Sequence, residues 1–553
     1  GRKMNKPQQQ ILEHALAHHA AGRLAEAEAL YSQILQADPN QLDALHLLGV
    51  IAHQVGKNEI AVDLIGKALA IKPDHAEAHH NLGNAHTGLG RNEDAATSYR
   101  QATLIKPEYA IAHYALGNAL RRLGRATEAI DSYNKALALN PELAEAHSNL
   151  GLTLHDLGKF AQAADSFRAA LNINLDFAEA LYNLGNTLKE QGKLDDTVAA
   201  YNKALAIKPN SVDALYNLGN TLQALGKIDA AIAAYDKALT INPEHVDVRY
   251  NLGLAQLLMG DFENGFENYK LRWQTAQLSR YRRPYQQPLW NGQDLKGQTL
   301  FLYPEQGLGD FIQFSRYVSL AAKKAERVIV EVPTALACLY PSLPGADVVI
   351  ETGQSPGDFD VHFPMLDLPG LFTTNPQSIP ASQRYLVAAD ELTEKWRNRL
   401  SVHKKFRVGL IWAGRPGHSN DKNRSIDPAL IAPLLEIDGV KFFSLQVERD
   451  GEAAKVFGPK VIDLAADLTN FAETAALMSN LDLIISVDSS PAHLAGALGC
   501  PVWTLLPYLP DWRWGMNRDD SPWYPNMRLL RQQKHGDWQA VIERVGQELK
   551  AVI

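Results

Sequence analysis

Residues 481–500, LDLIISVDSSPAHLAGALGC, place a strand, a polar turn and a small-residue helix in immediate succession. Leu483, Ile484, Ile485 and Val487 read as a strand covered on both faces, as in a parallel sheet flanked by helices. Asp488, Ser489 and Ser490 end it. Ser490 is expected as a helix N-cap and Pro491 in the first turn, with the helix running through His493, Leu494, Ala495 and Ala497 to Gly499. A helix N-terminus at the carboxyl edge of a parallel sheet presents free N–H groups to a phosphate, and Ser489, Ser490 and His493 add donors beside it. The same string also fits a strand-turn-helix unit that binds nothing.

Working outward, strands and helices alternate over the whole second half. TLFLYPE (299–305), a helix from Phe311 to Lys324, RVIVEVP, DVVIE and FDVHFPM form one set. FRVGLIWAG, KFFSLQ, KVIDLA, LDLIISVD and VWTLLP form another. Two such sets, joined near residues 385–405, predict two facing Rossmann-like lobes, residues 297–395 and 396–553, with a cleft between them.

The first half is an array. Gly49, Gly83, Gly117, Gly151, Gly185, Gly219 and Gly253 recur every 34 residues, as does a second glycine series from Gly22 to Gly260. Prolines from Pro39 to Pro243 keep the same interval, with Leu175 in the one gap. Each unit reads as a helix with a close-packing glycine, a turn glycine, a second helix and a proline that opens the next unit. A row of asparagines, Asn81, Asn149, Asn183, Asn217 and Asn251, stands two residues before the packing glycines. A carboxamide both donates and accepts, so such a ladder suits the peptide groups of an extended chain; bonding between repeats is the competing use. A second row, Asn84, Asn118, Asn186 and Asn220, follows the glycines and reads as structural.

NLGNAHTGLGRNEDAATSYRQATLIKP (81–107) resembles the tetratricopeptide repeat, with about eight units over residues 8–275 and a linker at 276–296. The resemblance implies an α-solenoid whose first helices line a binding groove, and the asparagine ladder is similar to that of the O-linked N-acetylglucosamine transferase. Gly307, Leu308, Gly309 and Asp310, together with VDSSPAHLAGALGCPVWTLL, resemble the heptosyltransferase family over roughly residues 297–535. That implies a GT-B fold, a nucleotide-sugar donor held mainly by the second lobe, and inverting transfer. The family usually has Asp-Thr-Gly where this chain has Asp488, Ser489 and Ser490. Repeats joined to such a domain, with the strings PDWRW and SPWYP, are similar to bacterial glycosyltransferases that modify proteins, flagellin among them.

These likenesses assign roles. Asp310 matches the family's catalytic carboxylate and is the expected base, with an N-cap for the helix at Phe311 as the alternative. Arg424 and Lys422, in GRPGHSNDKNRSID, are expected on the donor phosphates with Ser489, Ser490 and His493, because a guanidinium fork fits two phosphate oxygens. His418 in the same loop is an outside contact. Asp488 orients the turn or touches the sugar, and Gln446, Thr469 and Phe471 match the regions that hold the nucleoside. Trp512, Trp514 and Trp523 either stack on ligand or cover the cleft rim.

Composition bounds the rest. The 553 residues carry 54 basic and 62 acidic side chains without a basic stripe, which disfavours nucleic acid as partner. No run approaches 18 apolar residues, and no secretory signal is evident, so neither a membrane span nor secretion is expected. Cys338 and Cys500, the two cysteines, suit buried thiols in a reducing compartment, hence the cytoplasm. No ligand-spaced His/Cys cluster appears; Asp358 and Asp360 form an Asp-x-Asp triplet away from the turn, and neither metal nor cofactor is expected. The expected function is transfer of a sugar to Ser or Thr hydroxyls of a protein acceptor, flagellin or another secreted or surface protein, held by the repeats, which also allow oligomers. The alternatives are an enzyme acting on a glycan or lipid-linked acceptor and a scaffold whose domain is inactive.

Overall fold

Each repeat closes on a glycine that admits an aromatic or branched side chain. In the computed structural model, which describes residues 6–305, 307–341, 343–380, 384–417, 420–447 and 451–553, a Cβ at Gly117 would lie 2.6 Å from the Tyr133 ring. A Cβ at Gly185 would lie 2.5 Å from the Tyr201 ring. Tyr133 and Tyr201 are fully buried there, so the glycine row is the socket of the helix pair. The second glycine row has φ near +72°, as at Gly90, the left-handed turn that ends each first helix. Sixteen helices, from Lys6–Ala20 to Phe262–Tyr269, make eight consecutive pairs.

The chain divides into two compact units at Thr221 and Leu222. The division falls within the Val212–Ala224 helix, so the helices Ile228–Ile241, Val246–Met259 and Phe262–Tyr269 belong with the second unit. Aromatic packing explains the affiliation. Phe262 stacks on Trp523 with ring centroids 5.8 Å apart, Phe266 meets Trp512 edge-on at 5.6 Å, and Trp512 stacks on Phe314 at 6.4 Å. Arg272, 2% exposed, then bonds Glu305 with two nitrogens and Asp367 at 2.5 Å. Within this unit the end of the repeats is therefore part of the α/β core.

That core contains two parallel sheets, the arrangement expected. The first has the order β3-β2-β1-β4, from β1 (Leu295–Tyr303), β2 (Ala325–Val332), β3 (Val348–Glu351) and β4 (Val361–Pro364). The second has the order β10-β9-β8-β5-β6-β7. Its strands are β5 (Phe406–Ile411), β6 (Val440–Ser444), β7 (Val461–Asp463), β8 (Leu483–Val487), β9 (Val502–Leu506) and β10 (Met527–Arg531). Every strand pair is parallel, and β5 and β8 lie at the centre, so their carboxyl ends open side by side. All of β8 is buried.

Several expectations shift. The first-lobe helix begins earlier than expected, spanning Leu308–Phe314 with Gly307 at its N-cap, so Asp310 lies within its first turn. In the second lobe the N-cap is Ser489, not Ser490; the helix spans Ser490–Leu498 and ends on left-handed Gly499 as expected. Cys500 is buried, but Cys338 is exposed, because the Thr334–Leu339 turn carrying it lines a cavity. Among the described residues no helix is long and apolar enough to cross a membrane.

Candidate active site

A cavity of about 470 Å³ opens at the carboxyl ends of β5 and β8. Thr334, Ala335 and Cys338 of the first lobe face Arg424, Gln446, Thr469, Phe471, Ser489 and Ser490 of the second across it. Six of the residues singled out from sequence thus share one cavity wall. Two helices, Phe471–Met478 and Ser490–Leu498, begin at this wall. Asn470 caps the first by accepting from the Glu473 N–H at 3.0 Å. Ser489, at the N-cap of the second, makes no side-chain capping bond; its hydroxyl donates to the Val487 carbonyl at 3.1 Å. Pro491 has no N–H, so the Ser490 amide is the donor that this helix mouth can offer an anion.

Arg424 is held at the floor. Its Nη1 donates to the Asp488 carbonyl at 3.1 Å, and its guanidinium lies across Gly414, where a Cβ would sit 2.6 Å from Nε. Nε is buried with no hydrogen-bond partner among the described residues. Arg415, exposed in the same wall, is a second cation that sequence reasoning passed over. Lys422 is exposed on the Asp421–Arg424 turn and is not part of the cavity wall. His418 lies outside the described residues. Gln446 lines the cavity with its carboxamide already engaged. Its Oε1 accepts from the Trp412 and Ala413 amides at 3.1 and 3.0 Å, and its Nε2 donates to the Ala413 carbonyl at 3.0 Å. It shapes the loop after β5 more directly than it can read a base.

His493 sits elsewhere. It is buried, 2.9 Å through Nδ1 from the Tyr524 hydroxyl, and its ring lies 5.0 Å from that of Trp514. A Cβ at Gly309 would come within 2.7 Å of its Cδ2, so the imidazole is where the Leu308–Phe314 and Ser490–Leu498 helices touch. Burial, with Arg513 and Arg316 nearby, pushes its pKa down to about 3. A neutral, enclosed imidazole packs the two lobes together; it is not placed at the cavity.

Beside that contact lies a charged cluster. Asp310 projects from the first turn of its helix, and its Oδ1 is 2.7 Å from Nη2 of Arg513. Arg513 also bonds Asp511 at 2.7 Å. Asp488, half-buried, has its pKa pushed up to about 6 by burial and by Asp511, against the Trp514 indole and the cations Arg424 and Arg513. Burial likewise lifts Glu305 to about 7; Arg272 opposes the rise, and Asp367 and Asp310 add to it. Tyr250, from the Val246–Met259 repeat helix, packs on Tyr269 at 5.9 Å, and Tyr269 packs on Trp512 at 6.1 Å; burial pushes the Tyr250 hydroxyl pKa up, with Arg272 and Arg513 opposing. Trp512, Trp514 and Trp523 are buried and form the apolar backing of the cluster. No group of three or more His, Cys, Asp or Glu that could hold a metal ion occurs among the described residues. Asp360 of the Asp-x-Asp triplet accepts from the Thr299 N–H at 2.7 Å.

In the repeats, the ladder amides reach backward. Asn149 Nδ2 donates to the Tyr114 hydroxyl at 3.2 Å and to Asn118 Oδ1 at 2.9 Å. Asn217 repeats this with Tyr182 at 2.9 Å and Asn186 at 3.5 Å, while Asn81 Nδ2 lies 2.9 Å from His46 Nε2. Asn183 is half-buried at the equivalent place, and Asn251 holds it in the second unit. Asn118 and Asn186 also accept from Tyr133 and Tyr201 hydroxyls, at 2.8 and 2.6 Å, the structural use expected of the second row. The amide nitrogens of Asn149 and Asn217 are thereby spent between repeats, and their carbonyl oxygens are the part left for a peptide N–H.

Two kinds of family model match the chain. Models of the tetratricopeptide repeat match residues 12–76, 83–124, 117–158, 152–192, 185–226 and 212–245. The model of glycosyltransferase family 9 (heptosyltransferase) matches residues 432–539, which include Asp488 and Arg513 but not Asp310 or Arg424. Protein FlbA of Caulobacter vibrioides is 28% identical over 327 residues, 53% of this chain and 53% of that protein, so the chain spans about half the length of this relative. Among solved structures, YrrB, described as a TPR protein with an unusual peptide-binding site, is 27% identical over 33% of this chain and 95% of its own, with a TM-score of 0.31. MamA is 26% identical over 30% of this chain and 97% of its own, with a TM-score of 0.29. The chain carries tetratricopeptide repeats followed by a heptosyltransferase-like glycosyltransferase domain.

Proposed function

Taking repeats joined to a glycosyltransferase domain as the premise, we propose that the protein is an inverting O-glycosyltransferase that moves a sugar from a nucleotide-sugar to Ser or Thr hydroxyls of a polypeptide held by the repeats. The observation that carries the polypeptide acceptor is Tyr250. This side chain of the last repeat pair packs on Tyr269 with ring centroids 5.9 Å apart, and Tyr269 packs on Trp512 at 6.1 Å, next to the Arg513 that bonds Asp310. Continuity of packing from a repeat helix to the partner of Asp310 supports an acceptor delivered along the repeats.

In this reading the nucleoside lies against Thr469, Phe471 and the loop shaped by Gln446, and the diphosphate faces Arg424, Arg415 and the Ser490 amide. Asp310 takes the proton of the acceptor hydroxyl as its oxygen attacks the anomeric carbon from the face opposite the diphosphate. The carbon–oxygen bond to phosphate breaks, and its electron pair stays on the diphosphate, which the cations and the helix mouth stabilise. Asp488, beside Arg424, orients the turn between donor and cluster. Ser489 holds the turn through its bond to Val487. Neither metal nor cofactor is required by these steps. We place the protein in the cytoplasm, where nucleotide-sugars and unfolded secretory or surface acceptors, flagellin among them, are both present.

The test is a panel of nucleotide-sugars offered with acceptor proteins, read as mass gained on the acceptor and nucleoside diphosphate released. Wild type is expected to do both, Asp310→Ala neither, and Arg424→Ala is expected to bind nucleoside diphosphate about 10- to 100-fold more weakly, the worth of a charge-assisted contact. No release or transfer by wild type with any donor overturns the reading. A second reading, a glycan or lipid-linked acceptor, is favoured by the heptosyltransferase match itself. Replacing Asn149 and Asn217 together by Ala distinguishes the two: loss of acceptor use supports a polypeptide, and unchanged use supports a glycan.

A further inference from the structure

Asp310 is clamped in a way that a base ordinarily should not be. Arg513 Nη2 is 2.7 Å from its Oδ1, and a guanidinium so close weakens a carboxylate's hold on a proton. The pairing is nevertheless built with care. Arg513 stands in the Trp512–Trp514 turn after β9, its N–H capped by Asp511 at 3.0 Å and its side chain 9% exposed. Its guanidinium lies 4.5 Å over Trp512 and 5.7 Å from the Phe314 ring centre, and its Nε has no partner among the described residues. One cation thus reaches across the cleft from the second lobe to the helix of the first. It divides itself between two carboxylates, Asp310 and Asp511.

Three consequences follow. The contact engages Oδ1, while Oδ2 stands over Gly307, where the missing side chain leaves room. The carboxylate is therefore held with Oδ1 on Arg513 and Oδ2 against Gly307. Sharing with Asp511 weakens the hold on Asp310, which tempers the loss of basicity. Removal of Arg513 would take away the cation 2.7 Å from Asp310 and leave it beside the like charge of Glu305, and a carboxyl so placed holds its proton more tightly and is a poorer acceptor of another.

We propose that Arg513 is the positioning residue of the base: it aims Asp310 through Oδ1 and keeps it ionised at neutral pH, with Asp511 setting how tightly. The inference rests on the base role given to Asp310 above. Its test uses the full chain with the donor and acceptor pair that wild type turns over, measuring kcat and KM against pH for Arg513→Gln, Arg513→Lys, Asp511→Asn and Asp310→Asn. Arg513→Gln is expected to lower kcat about 10- to 100-fold with KM for the donor unchanged, and to move the acidic limb of the profile to higher pH. Arg513→Lys keeps that limb in place. Asp511→Asn, which leaves Arg513 to Asp310 alone, moves it to lower pH, and it supplies the test should Arg513→Gln fail to fold. In the Asp310→Asn background, Arg513→Gln costs no further activity, because a residue acting through another has nothing left to act on. Losses that multiply in the double variant, or limbs that do not move, overturn this inference alone. A wild type that turns over no donor overturns the glycosyl-transfer reading, and this inference falls with it.

Discussion

Gly307→Ala isolates the geometry of the base from the stability of the fold. Gly307 has φ −88° and ψ 127°, values open to alanine, so no backbone strain attends the change. A new Cβ would collide with Asp310 Oδ2 and lie 2.8 Å from its Cγ. Ordinary carbon contacts lie near 3.5 Å or beyond, so the carboxylate must retreat by roughly 1 Å. Displacement of a reacting group by about 1 Å costs roughly 100-fold in rate. The effect on folding is far smaller. A poorer N-cap and a less flexible unfolded chain oppose each other, and the net is within about 1 kcal/mol. Gly309→Ala is the contrast, because its Cβ would meet His493 Cδ2 at 2.7 Å and force the two central helices apart, destabilising by about 1–3 kcal/mol. The assay is steady-state release of nucleoside diphosphate, with chemical denaturation and calorimetric binding of the same diphosphate alongside. Gly307→Ala is expected to lose turnover with stability and diphosphate affinity kept. Full turnover, or a loss matched by unfolding, refutes the reasoning.

Thiol labelling offers a second check: Cys338 is exposed at the cavity, whereas Cys500 is buried with its thiol pushed up to about 11. A maleimide is expected to modify one thiol in the native protein and two after unfolding, and saturating nucleoside diphosphate is expected to slow the first reaction; unchanged labelling counts against this cavity as the donor site. In the repeats, Gly117→Ala drives a Cβ to 2.6 Å from the Tyr133 ring, and denaturant unfolding followed by circular dichroism should record a loss of about 1–3 kcal/mol. His493 sets a pH dependence. Its folded pKa lies below the unfolded value, so its stabilisation is present above about pH 6.5 and is lost as pH falls towards 3. Relative to wild type, His493→Gln is expected to recover about 2–3 kcal/mol between pH 7 and pH 4.5, and a pH-independent difference would contradict a buried neutral imidazole.

The solenoid was legible because each repeat demands the same socket and the same left-handed turn, and both demands are met by glycine at a fixed interval. Nine strands were legible as apolar runs. β10 was not: Met527–Arg531 is an edge strand whose two arginines break the run. Residues whose roles depend on their own loop, such as Ser490 and Arg424, were found at the cavity wall. Residues whose roles depend on partners distant in sequence were not readable. Arg513 between two tryptophans gave no sign that it would meet Asp310, and His493 on an otherwise apolar helix resembled a donor until Gly309 and Tyr524 enclosed it. Gln446 shows the same limit, since a carboxamide at a strand end looks identical whether it reads a ligand or ties down Ala413.

The division at Thr221 and Leu222 bears on how such a chain diversifies. Residues from Leu222 onward form one compact unit, which takes in the aromatic rings of Phe262 and Phe266 and the buried Arg272. Repeats of this class pack mainly on their neighbours in the array, so units are gained and lost along such arrays. A cut made where the repeat pattern fades, after Tyr269, would strip the second unit of part of its own interior. The boundary between the two units thus falls in the last turn of a repeat helix, at a point that no composition change announces.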